Sequence, residues 1–168
     1  MSTPLPARTD TTGGPLMLKA TPSWTLTDFD GLAASVLYDV LRLRAEVFVV
    51  EQACAFQDLD GLDQRATHLL GHVDGTLVAY ARCFPAGVAF SEASVGRVVT
   101  RSAARGSGWG HQLVARAMQA VGDTWGVQPI RIGAQARLKR FYQEHGFADV
   151  GKPYVEDGID HLEMLWQP

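Results

Sequence analysis

The segment Arg105-Gly106-Ser107-Gly108-Trp109-Gly110 places three glycines at alternate positions between two runs of opposite character. Before it, Val95-Gly96-Arg97-Val98-Val99-Thr100 is rich in β-branched residues and predicts a strand. After it, Leu113, Val114, Ala117, Met118 and Val121 recur at helical spacing and give one apolar face. Glycine lets a backbone turn tightly and approach a ligand without a Cβ in the way. The first amides of the following helix lack internal acceptors, and the macrodipole adds partial positive charge there. Such a junction suits an anion, phosphate above all. A loop that grips a terminal phosphate and magnesium ends in Gly-Lys-Ser/Thr, whereas Gly110 is followed by His111 and Gln112. A dinucleotide fingerprint runs G-x-G-x-x-G with an acid ending a second strand; the glycines here run G-x-G-x-G, without that acid. On the loop alone, a glycine-rich helix entry with no ligand stays as open as a phosphate site.

A second group lies downstream. Pro129-Ile130-Arg131-Ile132-Gly133-Ala134-Gln135 alternates Ile130, Ile132 and Ala134 on one face and predicts a buried strand. Leu138, Phe141 and Tyr142 mark a short helix stopped by Gly146, and Phe147 resumes an extended segment. In order and spacing, these two groups resemble the GNAT family of N-acetyltransferases. Arg105-x-x-Gly108-x-Gly110 matches the family's Arg/Gln-x-x-Gly-x-Gly/Ala loop, and Phe141-Tyr142-x-x-x-Gly146-Phe147 its second signature. Arg44-Ala45-Glu46-Val47-Phe48, Phe56-Gln57-Asp58-Leu59-Asp60-Gly61, His68-Leu69-Leu70-Gly71 and Tyr154-Val155-Glu156-Asp157-Gly158-Ile159-Asp160-His161 are similar to its ElaA-like branch. The likeness runs over about residues 24 to 166.

The resemblance implies an α+β fold: a mixed, mostly antiparallel central sheet with helices on both faces and a splayed strand pair that takes acyl-CoA. It implies acetyl-CoA as co-substrate, with the pyrophosphate cradled by Arg105, Gly106, Ser107, Gly108, Trp109 and Gly110. The pantetheine would follow the backbone of Val98, Val99 and Thr100, with Gln135 standing where many members carry asparagine. Phe141 and Tyr142 would lie beside the same arm, Tyr142 as proton donor to the departing thiolate, though a tyrosine there also suits a core. The expected reaction is acetyl transfer to a primary amine of a small molecule or protein. A lysine-like amine has a pKa of about 10.4, so a base must help it reach the neutral form. Glu51 is the first candidate, with Asp58, Asp60 and His68 bordering the acceptor and Glu92 in reserve. A covalent route through Cys54 or Cys83 would need an activated thiol. Two other readings stay open: an acyl-CoA-binding sensor without catalysis, and an acyl-homoserine-lactone-synthase-like enzyme, given Arg44-x-x-Val47-Phe48.

Several elements must position these residues. Trp24 to Asp28 alternates as a strand, and Leu32, Val36, Val40, Leu43 and Val47 form a helical stripe up to Phe48. Strands at His68–Val73 and Leu77–Phe84 are joined by Asp74-Gly75, a hairpin dipeptide. Two further strands near Phe147–Tyr154 and His161–Trp166 flank Gly158. At 168 residues the chain suits one domain, 23–168, behind an N-terminal tail, 1–22, rich in Thr, Pro and Gly. A net charge of −3 disfavours nucleic acid as partner. No run reaches the length of a membrane span, and the tail lacks a secretory apolar core, so no membrane is expected. Two cysteines are too few for a disulfide framework, and the enzyme reading implies the reducing cytoplasm. His68 and His72 stand four apart on a strand-like segment without a second ligand pair, so no metal is expected. A homodimer remains open.

Overall fold

A computed structural model describes residues 20–168, so most of the expected tail, 1–22, lies outside the described residues. Among the described residues, seven strands form one sheet in the order β1-β2-β3-β4-β5-β7-β6. They are β1 (Ser23–Asp28), β2 (Thr67–Val73), β3 (Thr76–Phe84), β4 (Ala93–Thr100), β5 (Ile130–Gln135), β6 (Ala148–Glu156) and β7 (Ile159–Trp166). The helices are α1 (Ala34–Arg44), α2 (Trp109–Trp125) and α3 (Lys139–Gln143). Every pairing is antiparallel except β4 with β5. Asp74 and Gly75 both take positive φ, 48° and 76°, as the tightest hairpin turn requires. Among the described residues no helix is long and apolar enough to cross a membrane.

The helical stripe predicted as far as Phe48 ends earlier as a regular helix. From Ala45 to Glu51 the chain widens into π-type turns, with the Gln52 amide bonding the Val47 carbonyl at 3.2 Å and Cys54 bonding Val49 at 3.1 Å. Five-residue spacing advances less per turn than the α-helix, and this rotates Glu51 and Gln52 toward β4 and β5.

Two apolar layers cover the sheet. On one face Leu113, Val114, Ala117 and Val121 of α2 pack with Val78, Ala93, Val95, Ile132 and Ala134. On the other, Val40, Leu43 and Val47 meet Leu70, Leu77, Tyr80 and Val99. β4 changes sides between Val95 and Val99, both odd-numbered, which strict alternation would keep on one face. The cause is a bulge: Arg82 pairs Gly96 and Tyr80 pairs Val99, so Arg97 and Val98 oppose Ala81 alone. Arg97 takes φ 49°, and the strand bends there.

Charged groups, not apolar ones, fasten the segment between α1 and β2. Arg44 is wholly buried and donates to Asp58 at 2.8 Å, to Asp63 at 2.7 Å and to the Asp58 carbonyl at 3.1 Å. Arg82 donates to Asp60 at 2.6 and 2.8 Å and to Asp63 at 2.9 Å. Arg97 donates to Asp58 at 2.8 Å. Three guanidinium groups thus meet three carboxylates. Asp63 bridges Arg44 and Arg82; burial works to raise its pKa, but the bonds from the two arginines outweigh it and hold the carboxyl below its ordinary value.

Removing the Asp63 carboxylate therefore leaves two largely buried guanidinium groups short of a partner. Asp63→Ala is expected to cost about 3–5 kcal/mol in urea unfolding. A lowered folded pKa stabilises the fold fully above the unfolded value of about 3.9, and that contribution is lost as pH falls through the folded one. Wild type should lose stability more steeply than Asp63→Asn below about pH 4, measured by urea midpoints across that range.

Candidate active site

β4 and β5 pair only at Ala93 with Ile130 and Ser94 with Arg131. Beyond these the strands part, and Arg97–Thr100 faces Gly133–Gln135 across an opening. The start of α2 lies at its end. Gly106 and Gly108 take φ of 79° and 81°, the left-handed region, and no heavy atom stands within 4 Å of where a Cβ would sit. The loop exterior is therefore clear for a ligand. The first α2 bond runs from the Gln112 amide to the Gly108 carbonyl at 3.2 Å, so the amides of Trp109, Gly110 and His111 have no helical acceptor. No acidic residue occupies the first turn of α2. The Trp109 side chain is buried in the α2 layer, which leaves only its backbone for an anion. The Ser107 hydroxyl braces the loop by donating to the Ala104 carbonyl at 2.6 Å.

Arg105 reaches from this loop to Glu51 in a two-pronged pair and to the Thr100 carbonyl at 3.2 Å. Hydrogen bonding from Arg105, aided by the charges of Arg105 and Arg137, holds the Glu51 carboxyl below its usual value against a small burial effect. Glu51 is thus a partner of the anion loop, and its lowered pKa makes it a poorer base. That corrects its expected place at the acceptor end. Next to it, Gln135 donates to Gln52 at 2.9 Å and accepts from Arg137 at 3.0 Å, which ties the end of β5 to the turns after α1.

Three other expected acceptor residues are committed elsewhere. Asp58 and Asp60 hold the arginines described above. His68 is wholly buried; its Nε2 lies 3.0 Å from the Asp63 carbonyl and its Nδ1 2.7 Å from the Tyr80 hydroxyl. A carbonyl only accepts, so Nε2 carries the proton and the Tyr80 hydroxyl donates to Nδ1. No lone pair remains for an amine. Glu92 is gripped by Arg131 at 2.6 and 2.9 Å, chiefly by that bonding its pKa falls to about 2, and it makes a weak base. Burial pushes the Cys83 thiol up to about 12, opposite to activation. Cys54 is spent on the Asp157 carbonyl at 3.4 Å.

Tyr142 lies in the α2 layer, edge-on to Phe141 and Phe147. Burial, with no charged or hydrogen-bonding partner contributing, pushes its phenol up to about 12. It therefore stays protonated at neutral pH. On the opposite face of β5, Gly133 admits the Tyr154 hydroxyl, which a Cβ there would meet at 2.3 Å. Tyr154 stacks on His161, which stands directly across from Gln135 in register. The His161 Nδ1 lies 2.8 Å from the Ile159 carbonyl. Sequence reasoning did not single out this histidine. The available signal was register: counting back from Trp166 opposite Ile130 puts His161 beside Gln135.

Comparisons with known proteins identify the family and the fold. A family model described as "Acetyltransferase (GNAT) domain" matches residues 36–168. Protein ElaA of Escherichia coli is 41% identical over 143 residues, 84% of this chain and 94% of that protein. A crystal structure of an acyl-CoA N-acyltransferase from Pseudomonas aeruginosa superposes with a TM-score of 0.82 at 42% identity, covering 87% of this chain and 99% of that one. The crystal structure of E. coli ElaA gives 0.81 at 38% identity, with 87% and 99% covered.

The Arg105–Glu51 pair makes a prediction, because an arriving anion must share Arg105 with a carboxylate. An exposed pair is worth about 0.2–1 kcal/mol. Glu51→Gln is expected to tighten coenzyme A binding roughly two- to fivefold, read by calorimetry at fixed salt. Weaker binding would show that Glu51 instead positions Arg105 for the anion.

Proposed function

The chain belongs to the GNAT acetyltransferase family, and from that premise we propose that it moves an acetyl group from acetyl-CoA to a primary amine of a small molecule or a protein. The observation that carries this reading is the parting of β4 from β5 beside a glycine-rich helix start. In this reading the amides of Trp109 to His111 and the Arg105 guanidinium hold the pyrophosphate. Each such charge-assisted bond contributes about 1.5–3 kcal/mol, enough together for a micromolar site. The backbone of Val98–Thr100 and the Gln135 amide border the pantetheine. Bound acetyl-CoA supplies the thioester that the amine attacks.

Direct attack is preferred to an acyl-cysteine. Cys83 is buried with a raised pKa, and Cys54 is tied to the β6–β7 turn. The neutral amine adds to the thioester carbonyl, the C–S bond breaks, and the thiolate leaves with the electron pair. Tyr142 stands on the side where sulfur departs. A thiol of pKa about 8.5 is a stronger acid than a phenol near 12. Complete transfer from Tyr142 would thus run uphill, and its contribution is a hydrogen bond to the developing thiolate while solvent supplies the proton later.

Thiol release from acetyl-CoA across a panel of amines tests the reading. Turnover with at least one amine is expected; tight binding with no acceptor would leave an acyl-CoA sensor. Gly108→Glu places a side chain and a negative charge in the clear space at the loop, so coenzyme A affinity should fall at least tenfold by calorimetry in a folded variant. Tyr142→Phe keeps the ring and should leave acetyl-CoA binding intact while turnover drops by about 10²-fold or more. Unchanged turnover would make Tyr142 a core residue only.

A further inference from the structure

We propose that His161 is the catalytic base that takes the proton from the attacking amine. The proposal rests on the N-acyltransferase reading and names a residue of that site. Three observations carry it.

The first is the tautomer. The Ile159 carbonyl only accepts, so at 2.8 Å the His161 Nδ1 must be the protonated nitrogen. Nε2 is left with a lone pair. Around the ring, Tyr154 stacks at 5.3 Å with an interplanar angle of 24°, and together with the Ile159 bond this fixes its orientation. The second is place. His161 is opposite Gln135 on β5, so both side chains rise from the same face of the sheet. Gln135 is four residues beyond the last β4 partner of β5, about 13 Å along the strand. There the opening is wide and faces Arg97–Thr100. The face is that of Gln52, opposite to the Tyr142 layer. The third is competition. Glu51, Glu92, Asp58, Asp60 and His68 are all engaged by arginines or by buried hydrogen bonds.

The charged and titratable neighbours are few. Glu156 of β6 lies 3.9 Å from Nε2 and is more than half exposed. Tyr154 contributes a neutral ring, and Arg137 is separated by the Gln135 amide. The step balances as follows. The amine lone pair forms the C–N bond and the carbonyl π pair moves to oxygen. Nε2 then takes one proton from the tetrahedral ammonium. The oxygen pair returns, the C–S bond breaks, and the thiolate leaves; the imidazolium gives its proton to solvent.

His161→Asn tests this, because the asparagine amide can still donate to the Ile159 carbonyl but offers no base. Turnover is measured against pH on an amine that wild type accepts, with rates expressed per concentration of neutral amine. In wild type the rate should rise through an acidic limb; in His161→Asn that limb disappears and kcat/KM falls by about 10²–10⁴-fold, with acetyl-CoA affinity within twofold. Imidazole in solution should restore turnover to His161→Ala. If His161→Ala does not fold, the His161→Asn profile decides alone. A His161→Asn profile superimposable on wild type overturns the proposal while leaving the family reading intact. Wild type that binds acetyl-CoA yet acylates no amine removes the N-acyltransferase reading, and His161 as its base with it.

Discussion

The parting of β4 from β5 is the constraint on which the rest of the site depends. A strand inside a sheet satisfies its amides and carbonyls through both neighbours, and a buried group left without a partner costs about 1–3 kcal/mol. Here two residues of each strand pair and then the ladder stops. The backbone of Val98–Thr100 faces a gap that water or an amide-bearing ligand must fill. A ligand built as a chain of amides supplies donors and acceptors at the intervals a missing strand would. In the proposed acyl-CoA reading, its phosphate end would meet the α2 amides that also lack acceptors. Opening and helix start are two unsatisfied backbone surfaces made continuous.

What keeps the gap open is charge. The bulge at Arg97 holds a non-glycine residue at φ 49°, a conformation that costs about 1 kcal/mol or more. The same residue sends its guanidinium into Asp58 at 2.8 Å and to the Asp58 carbonyl at 3.1 Å. Asp58 is in turn held by Arg44 from the end of α1. The strained backbone and the buried ion network are therefore one device, in which the last turn of α1 pins the bend of β4. Ion pairs of this kind add little net stability over apolar packing, but losing one partner strands the other in low dielectric. Their geometry is correspondingly strict, which suits a bend that must stay in register with a ligand.

The sequence made much of this legible and for identifiable reasons. Strands with clear alternation, the Asp74-Gly75 turn and the α2 stripe stand where periodicity places them. The tight turn before α2 was readable because left-handed φ at Gly106 and Gly108 favours glycine. The acids were misread because composition does not reveal partners. Asp58 and Asp60 look like loop carboxylates until Arg44, Arg82 and Arg97, distant in sequence, converge on them. Glu51 was misplaced by the wider turns after Arg44, which rotate it toward Arg105. His161 was given no role because its place opposite Gln135 is a matter of cross-strand register, which appears only once β5 and β7 are paired.

Alternation along β5 also separates the two proton problems of amide formation. Ala134 belongs to the apolar layer that holds Tyr142, whereas Gln135 turns to the face that holds His161. The proposed donor for sulfur, Tyr142, thus sits in a dry setting on one side, where burial raises its phenol pKa further. The proposed base, His161, lies on the other side, its Nε2 3.9 Å from the exposed Glu156 carboxylate. One residue of strand alternation, from Ala134 to Gln135, is enough to put the two proposed groups on opposite faces of β5.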